Sequence, residues 1–297
     1  MPTPVQCTCS AFPIPVALAL VGAASIYIRG WHRLRNTFPG AMPVWRVAAF
    51  MSGLLSIWIA TGTPLARLDH ELLTVHMVKH LMLMAIGAPL VLFGAPALPL
   101  RHGLPRRWIG SAVDSIVRFP VVQGLGRFLS NPVFCWLAAT AAVIGWHLPA
   151  VFELGLRSHA WHEVESACFL CAGLLFWWPV VQPWPRIARG ARWSVPLYLF
   201  LATLPCDTLS AFLAFCDRVV YPSYLATPRR FSISPLGDQQ LAGALMWVFV
   251  TFIYLLPAVA VTIDNLSPAR TQAQEHVRPG LRTIAGQTRN ASEAEVV

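Results

Sequence analysis

His76 and His80, in the run His76-Met77-Val78-Lys79-His80, are the residues of this chain best placed to do chemistry. On a helix, positions four apart differ by about 40° around the axis, so both imidazoles can face one point. The stretch around them is long and apolar, and an ionisable side chain inside such a segment is costly enough that function is the default reading. Histidine recurs at the edges of two other apolar runs: Trp146-His147-Leu148-Pro149 closes one, and His159 and His162 open the next. Clustered imidazoles bind transition metals or haem, or relay protons.

The elements that must hold these residues follow from composition. Hydrophobic residues make up 56% of the 297 and charged residues 12%, with a mean hydropathy of +0.57. A soluble domain carries roughly twice that share of charge. Several apolar runs reach the ~20 residues that a bilayer-spanning helix needs. The pattern predicts an all-α polytopic membrane protein: an outer segment over residues 1–12, a bundle of seven transmembrane helices over 13–262, and a polar, disordered tail over 263–297. The spans are expected at about Pro13–Arg29, Arg46–Thr63, Leu72–Ala95, Pro132–Ala150, Glu163–Gln182, Val195–Cys216 and Gln240–Thr262. Arg29 to Arg35 follow the first run rather than precede it, the reverse of a cleaved signal peptide, so that run is read as a retained helix.

Arginine placement gives an orientation. Arg29, Arg33, Arg35 and Arg46 flank the first loop, Arg101, Arg106, Arg107, Arg118 and Arg127 crowd the third, and Arg186, Arg189 and Arg192 fill the fifth. The opposite face holds most of the acids, among them Asp69, Glu71, Glu153, Glu163, Glu165, Asp217 and Asp238. Positive residues stay cytoplasmic, which puts the N-terminus outside and the C-terminus in the cytoplasm. The net charge of +9 is then topological and met by membrane lipid, and nucleic-acid binding is not expected. In this topology His76 and His80 lie roughly 6 and 12 Å below the outer end of the third span. His147 closes the fourth span and His162 opens the fifth on that same side. His76, His80, His147 and His162 are therefore the expected metal ligands.

Two acids join them as candidates. Asp207 lies within the sixth span at the level of His80, and a buried acid in a membrane usually has a specific partner. Asp238 opens the seventh span on the outer side, where favourable helix-dipole chemistry alone would account for it. Lys79, the only lysine, would repel a cation unless it points away. Cys168, Cys171, Met77, Met82 and Met84 read as packing residues. Cys7 and Cys9, in the outer segment, could pair or handle copper(I). Nucleophile elbows, phosphate loops and zinc-protease spacings are missing, so no enzyme is expected.

At this point the chain resembles a family. His76-Met77-Val78-Lys79-His80 with Pro89 and Gly94-Ala95-Pro96 looks like the third-helix motif of the CtaG family, the seven-helix cytochrome c oxidase assembly factors of caa-type oxidases. Trp146-His147-Leu148-Pro149, Phe176-Trp177-Trp178-Pro179-Val180, Tyr221-Pro222-Ser223-Tyr224 and Leu236-Gly237-Asp238-Gln239-Gln240-Leu241-Ala242-Gly243 match its later motifs in order, over about residues 45 to 262. The resemblance implies a bacterial inner-membrane factor linked to copper insertion, with oxidase subunits as partners and a periplasmic copper chaperone as a possible donor. It carries function onto His76, His80, His147, His162 and Asp238. The chain departs from the pattern at Lys79, where relatives have a neutral residue, and at Ser166, where a second histidine is common. Two alternatives stand beside copper delivery: a haem-binding electron carrier with axial histidines such as His80 and His147, and a copper or proton transporter with Asp207 in the path.

Overall fold

The structure, a computed structural model, describes residues 14–37, 42–63, 68–105, 119–181, 193–226 and 232–267. Cys7 and Cys9, the stretch beyond residue 267, and the arginine-bearing stretches over 106–118 and 182–192 lie outside the described residues. Among the described residues the chain is helical, without a strand. The long helices are α1 (Ile14–Thr37), α2 (Val44–Gly62) and α3 (Leu73–Phe93). Short helices follow at α4 (Ala97–Gly103) and α5 (Pro120–Leu129), then α6 (Pro132–His147) and α7 (Pro149–Arg157). The chain continues with α8 (His159–Val181), α9 (Ser194–Phe215) and α10 (Pro235–Leu266).

Six of these, α1, α2, α3, α8, α9 and α10, are long and apolar enough to cross a membrane. The pair α5 and α6 passes the same test together but is bent by 66°, so the described residues hold six candidate spans, or up to seven. Alone, α6 is short for a span, at ~24 Å. Its end at His147 comes from Pro149, whose ring pushes the preceding residue out of helical geometry; Leu148 is extended at φ −63, ψ 128. The chain restarts as α7, which was expected to be loop. Also unexpected are α4, α5 and the continuation of α1 past Arg29 to Thr37 and of α10 to Leu266.

The central element is α3. In it 67% of the apolar stretch is buried, against 17% to 39% in the other spans. Close approach makes this possible. A Cβ at Gly173 of α8 would lie 2.8 Å from the Met84 backbone, and one at Gly53 of α2 would lie 2.8 Å from Val91 N. Glycine is what lets both helices press on α3. The main core runs from Leu73, Met77 and Leu81 of α3 through Phe169, Phe176 and Trp177 of α8 to Met246 and Tyr254 of α10.

Midway, α3 widens into a π turn over Met82–Gly87. In that register Met84 O would look to the amide of residue 89, but Pro89 has none. Trp177 Nε1 donates to Met84 O instead, at 3.1 Å, and Ser56 Oγ donates to Met82 O at 3.0 Å. These contacts from α8 and α2 satisfy carbonyls that a membrane interior cannot hydrate.

Candidate metal centre

The first turns of α3 carry His76, Met77, Lys79 and His80, all buried. The N-terminus of α3 has no cap of its own; the Asp238 carboxylate supplies one from α10. Asp238 accepts from Leu73 N at 2.6 Å, Thr74 N at 3.2 Å and Thr74 Oγ1 at 2.6 Å. An acid at a helix start satisfies orphan amides and favours the dipole. Asp238 thus fixes where α3 begins, and both its oxygens are committed there rather than to the histidines.

His76 and His80 face each other, Nε2 to Nε2, at 2.8 Å. Glu165 Oε1, from α8, stands 3.4 Å from the first and 3.3 Å from the second. Three donors held ~2 Å from one ion in tetrahedral directions stand about that far apart. Burial leaves His76 and Glu165 1% exposed, while Phe152 of α7 covers the His76 ring at 4.8 Å. Glu165 reaches the site because it follows His162 by three residues, on the same face of α8.

A second cluster shares His76. His162 Nε2 lies 2.9 Å from Asp69 Oδ2 and 2.5 Å from Lys79 Nζ, and Lys79 Nζ is 3.1 Å from Asp69 Oδ2. Asp69, His76 and His162 also offer donor atoms close enough for an ion, but the Lys79 ammonium already stands among them. Nε2 of His162 thus stands between the Lys79 ammonium and the Asp69 carboxylate, while its Nδ1 faces Glu165 Oε2 at 3.4 Å. Burial works against ionisation of Asp69; the His162 hydrogen bond and the Lys79 charge outweigh it and hold the carboxyl well below the usual carboxylate range. Burial pushes the His70 imidazole below its usual value, against the pull of Asp69.

Two carboxylates, Asp69 and Glu165, share one ammonium, Lys79, so with neutral imidazoles the buried cluster carries one net negative charge. Leaving it uncompensated costs several kcal/mol in such surroundings, roughly. The arrangement therefore favours either a bound cation or a proton on a histidine. Asp69 Oδ1, His76 Nδ1, His80 Nδ1, His162 Nδ1 and Glu165 Oε2 are also buried without a hydrogen-bond partner.

Of the other expected residues, His147 lies beside the cluster and Asp207 outside it. His147 closes α6 beside Met77: its Nδ1 contacts Val143 O at 2.6 Å and its Nε2 lies 3.3 Å from Met77 Sδ. Asp207 is half-buried on α9 with one oxygen lacking a hydrogen bond, and it is not among the acids that group with the histidines. His159 is exposed at the start of α8. Tyr221 OH donates to His147 O at 3.0 Å and Tyr224 OH to Asp69 O at 2.7 Å, so the loop before α10 closes over the cluster. Gln239 anchors that loop, accepting from Val220 N and donating to Arg218 O. The space lined by both His80 and His147 is about 30 Å³, room for an ion or a water but not a haem.

Sequence reasoning placed Glu165 and Asp69 among the acids of one face but not in the site. For Glu165 the signal existed, as the acid one helical turn after His162. Asp69 gave none, because it lies in the loop before α3, where no periodicity says which way a side chain turns.

Comparison with known proteins extends this picture. Uncharacterized proteins of Mycobacterium bovis and Mycobacterium tuberculosis are each 26% identical over 264 residues, and one of Mycobacterium leprae is 27% identical over 266. The matches cover 82% of this chain and 38% of each relative, so the chain spans well under half the length of these curated relatives. No solved structure matches it. The family of cytochrome c oxidase caa3 assembly factors (Caa3_CtaG) matches residues 25–267, and the apolar helices fit a multi-pass bacterial membrane protein. The chain belongs to the cytochrome c oxidase caa3 assembly factor family.

Proposed function

We propose that the protein is a non-catalytic assembly factor that holds copper between His76, His80 and Glu165 and passes it to a subunit of cytochrome c oxidase. One observation carries the reading: a buried carboxylate meets two imidazole nitrogens within 3.4 Å and has no cationic side chain of its own. Imidazole suits copper(II) well, and the carboxylate supplies the charge that a neutral histidine pair lacks. Lys79 is neutralised by Asp69, which lowers the repulsion that its position in the sequence led one to expect.

The accompanying topology has seven spans, the N-terminus outside and the C-terminus in the cytoplasm. The starts of α3, α8 and α10 and the end of α6 meet at the cluster, and the arginine bias assigns that end to the outer face. There the cluster can receive copper from a periplasmic chaperone and meet oxidase subunits, while anionic lipid balances the arginines. His162 and Glu165 share one face of α8, and Asp238 sets the register of α3.

The test pairs copper retention with oxidase assembly in cells. Wild-type protein purified with copper should retain it, and His76→Ala with His80→Ala should lose it and lower oxidase activity, most strongly in copper-poor medium. Full oxidase activity in cells carrying that double variant would overturn the delivery role.

A further inference from the structure

Next to the imidazole–carboxylate cluster, and separated from it by the His80 ring, lies a small cavity of about 30 Å³. Its wall includes Met77 and Met84 of α3, Met246 of α10, Cys206 of α9, His147 of α6 and His80 itself. Each of these is buried. No carboxylate lines it; the remaining surface is aliphatic and aromatic.

Inside it, one contact has no explanation as a hydrogen bond. His147 Nδ1 is 2.6 Å from Val143 O, a carbonyl that can only accept, so Nδ1 carries the proton. In the neutral ring Nε2 is then a lone pair, and it faces the Met77 thioether sulfur, also an acceptor, at 3.3 Å. Two electron-pair donors stand together in an apolar setting with no proton between them. That is the disposition of two ligands on one soft ion.

We propose that this cavity is a second subsite, for a soft monovalent cation of the copper(I) kind, held by the His147 imidazole and the Met77 thioether with further sulfur from Met84, Met246 and Cys206. The inference deepens the copper-handling reading and rests on it for the identity of the cargo. Thioether, thiol and imidazole select copper(I) over harder ions. Charge separates the two places. Burying an ion costs more as its charge rises, so a ligand set without a carboxylate holds a monovalent ion, while Glu165 offsets a divalent one. His80 belongs to both, with Nε2 turned to His76 and Glu165 and its ring lining the cavity.

Silver(I), which mimics copper(I) without redox chemistry, is the probe. Its affinity is measured by competition on the detergent-solubilised full chain, alongside copper(II) binding. Met77→Leu with Met246→Leu conserves side-chain volume, so folding is expected to hold, and thermal unfolding checks it. The double variant should weaken silver(I) at least tenfold and leave copper(II) binding within twofold. Glu165→Gln should do the opposite. The subsite is overturned by unchanged silver(I) affinity in the methionine variant, by loss of silver(I) in Glu165→Gln, or by X-ray absorption of the copper(I)-loaded protein showing no sulfur neighbour. Failure of copper(II) to bind at all, with silver(I) behaving as described, would remove the proposed copper(II) cluster and leave the subsite standing.

Discussion

Both halves of α3 are largely buried, and they differ in how their polar groups are met. In the second half, from the π turn at Met82 to Phe93, the carbonyls of Met82 and Met84 each receive a side-chain donor from a neighbouring helix. Glycines on α2 and α8 bring those neighbours into backbone contact. In the first half, His76, Lys79 and His80 meet two carboxylates and another histidine, yet five buried polar atoms around them lack a hydrogen bond. With neutral imidazoles, one negative charge there is also unmatched. A fold selected for stability alone would not leave a membrane helix in that state. The second half holds the molecule together, and the first half keeps a site ready for a cation.

If that division is right, substitutions in the two halves should fail in different ways. The largest effect is expected from Gly173→Leu, whose side chain would run into the Met84 backbone. A loss of about 3 kcal/mol or more is expected, read as loss of monodisperse protein in detergent. Glu165→Gln should instead keep or raise thermal stability, because it removes an unmatched buried charge. Its copper(II) affinity should fall by at least ~100-fold, more than the loss of a supporting partner usually costs. If Glu165→Gln unfolds the protein as Gly173→Leu does, both halves are structural and the contrast collapses.

Lys79→Met probes the site from the other side. Removing the ammonium frees the Asp69–His76–His162 group and adds a second unmatched carboxylate. Copper(II) or zinc(II) capacity should rise from one ion to two per chain, measured by elemental analysis after desalting. A capacity that stays at one would show that Lys79 does not occupy a cation position. The smallest effect belongs to Ser56→Ala, which removes a single interhelical hydrogen bond to the π turn. About 0.6 kcal/mol is expected, with metal binding unchanged.

Much of this was legible in the sequence, for identifiable reasons. Long apolar runs gave the membrane helices, since length and hydropathy are local properties. The His76–His80 pair followed from helical spacing alone. Asp238 was read as an acid at the start of its own helix, whereas it caps α3, a relation between residues 165 positions apart that no local pattern encodes. Met77 was read as packing, because a methionine on an apolar face looks the same in sequence whether its sulfur meets carbon or the His147 nitrogen. Pro149 encodes the break at His147, which falls inside the range expected for the fourth span. Lys79 led to an expectation of repulsion because its partner, Asp69, lies in a loop whose path only tertiary structure defines.

The central claim is that Glu165 and the two α3 histidines together hold one copper ion. Electron paramagnetic resonance of the copper(II)-loaded, desalted protein measures this most directly. One copper(II) per chain is predicted, with nitrogen coupling from two imidazoles, and the signal should be lost in His76→Ala, His80→Ala and Glu165→Gln alike. A copper signal that survives unchanged in any of the three, or wild-type protein that retains no copper, would contradict it.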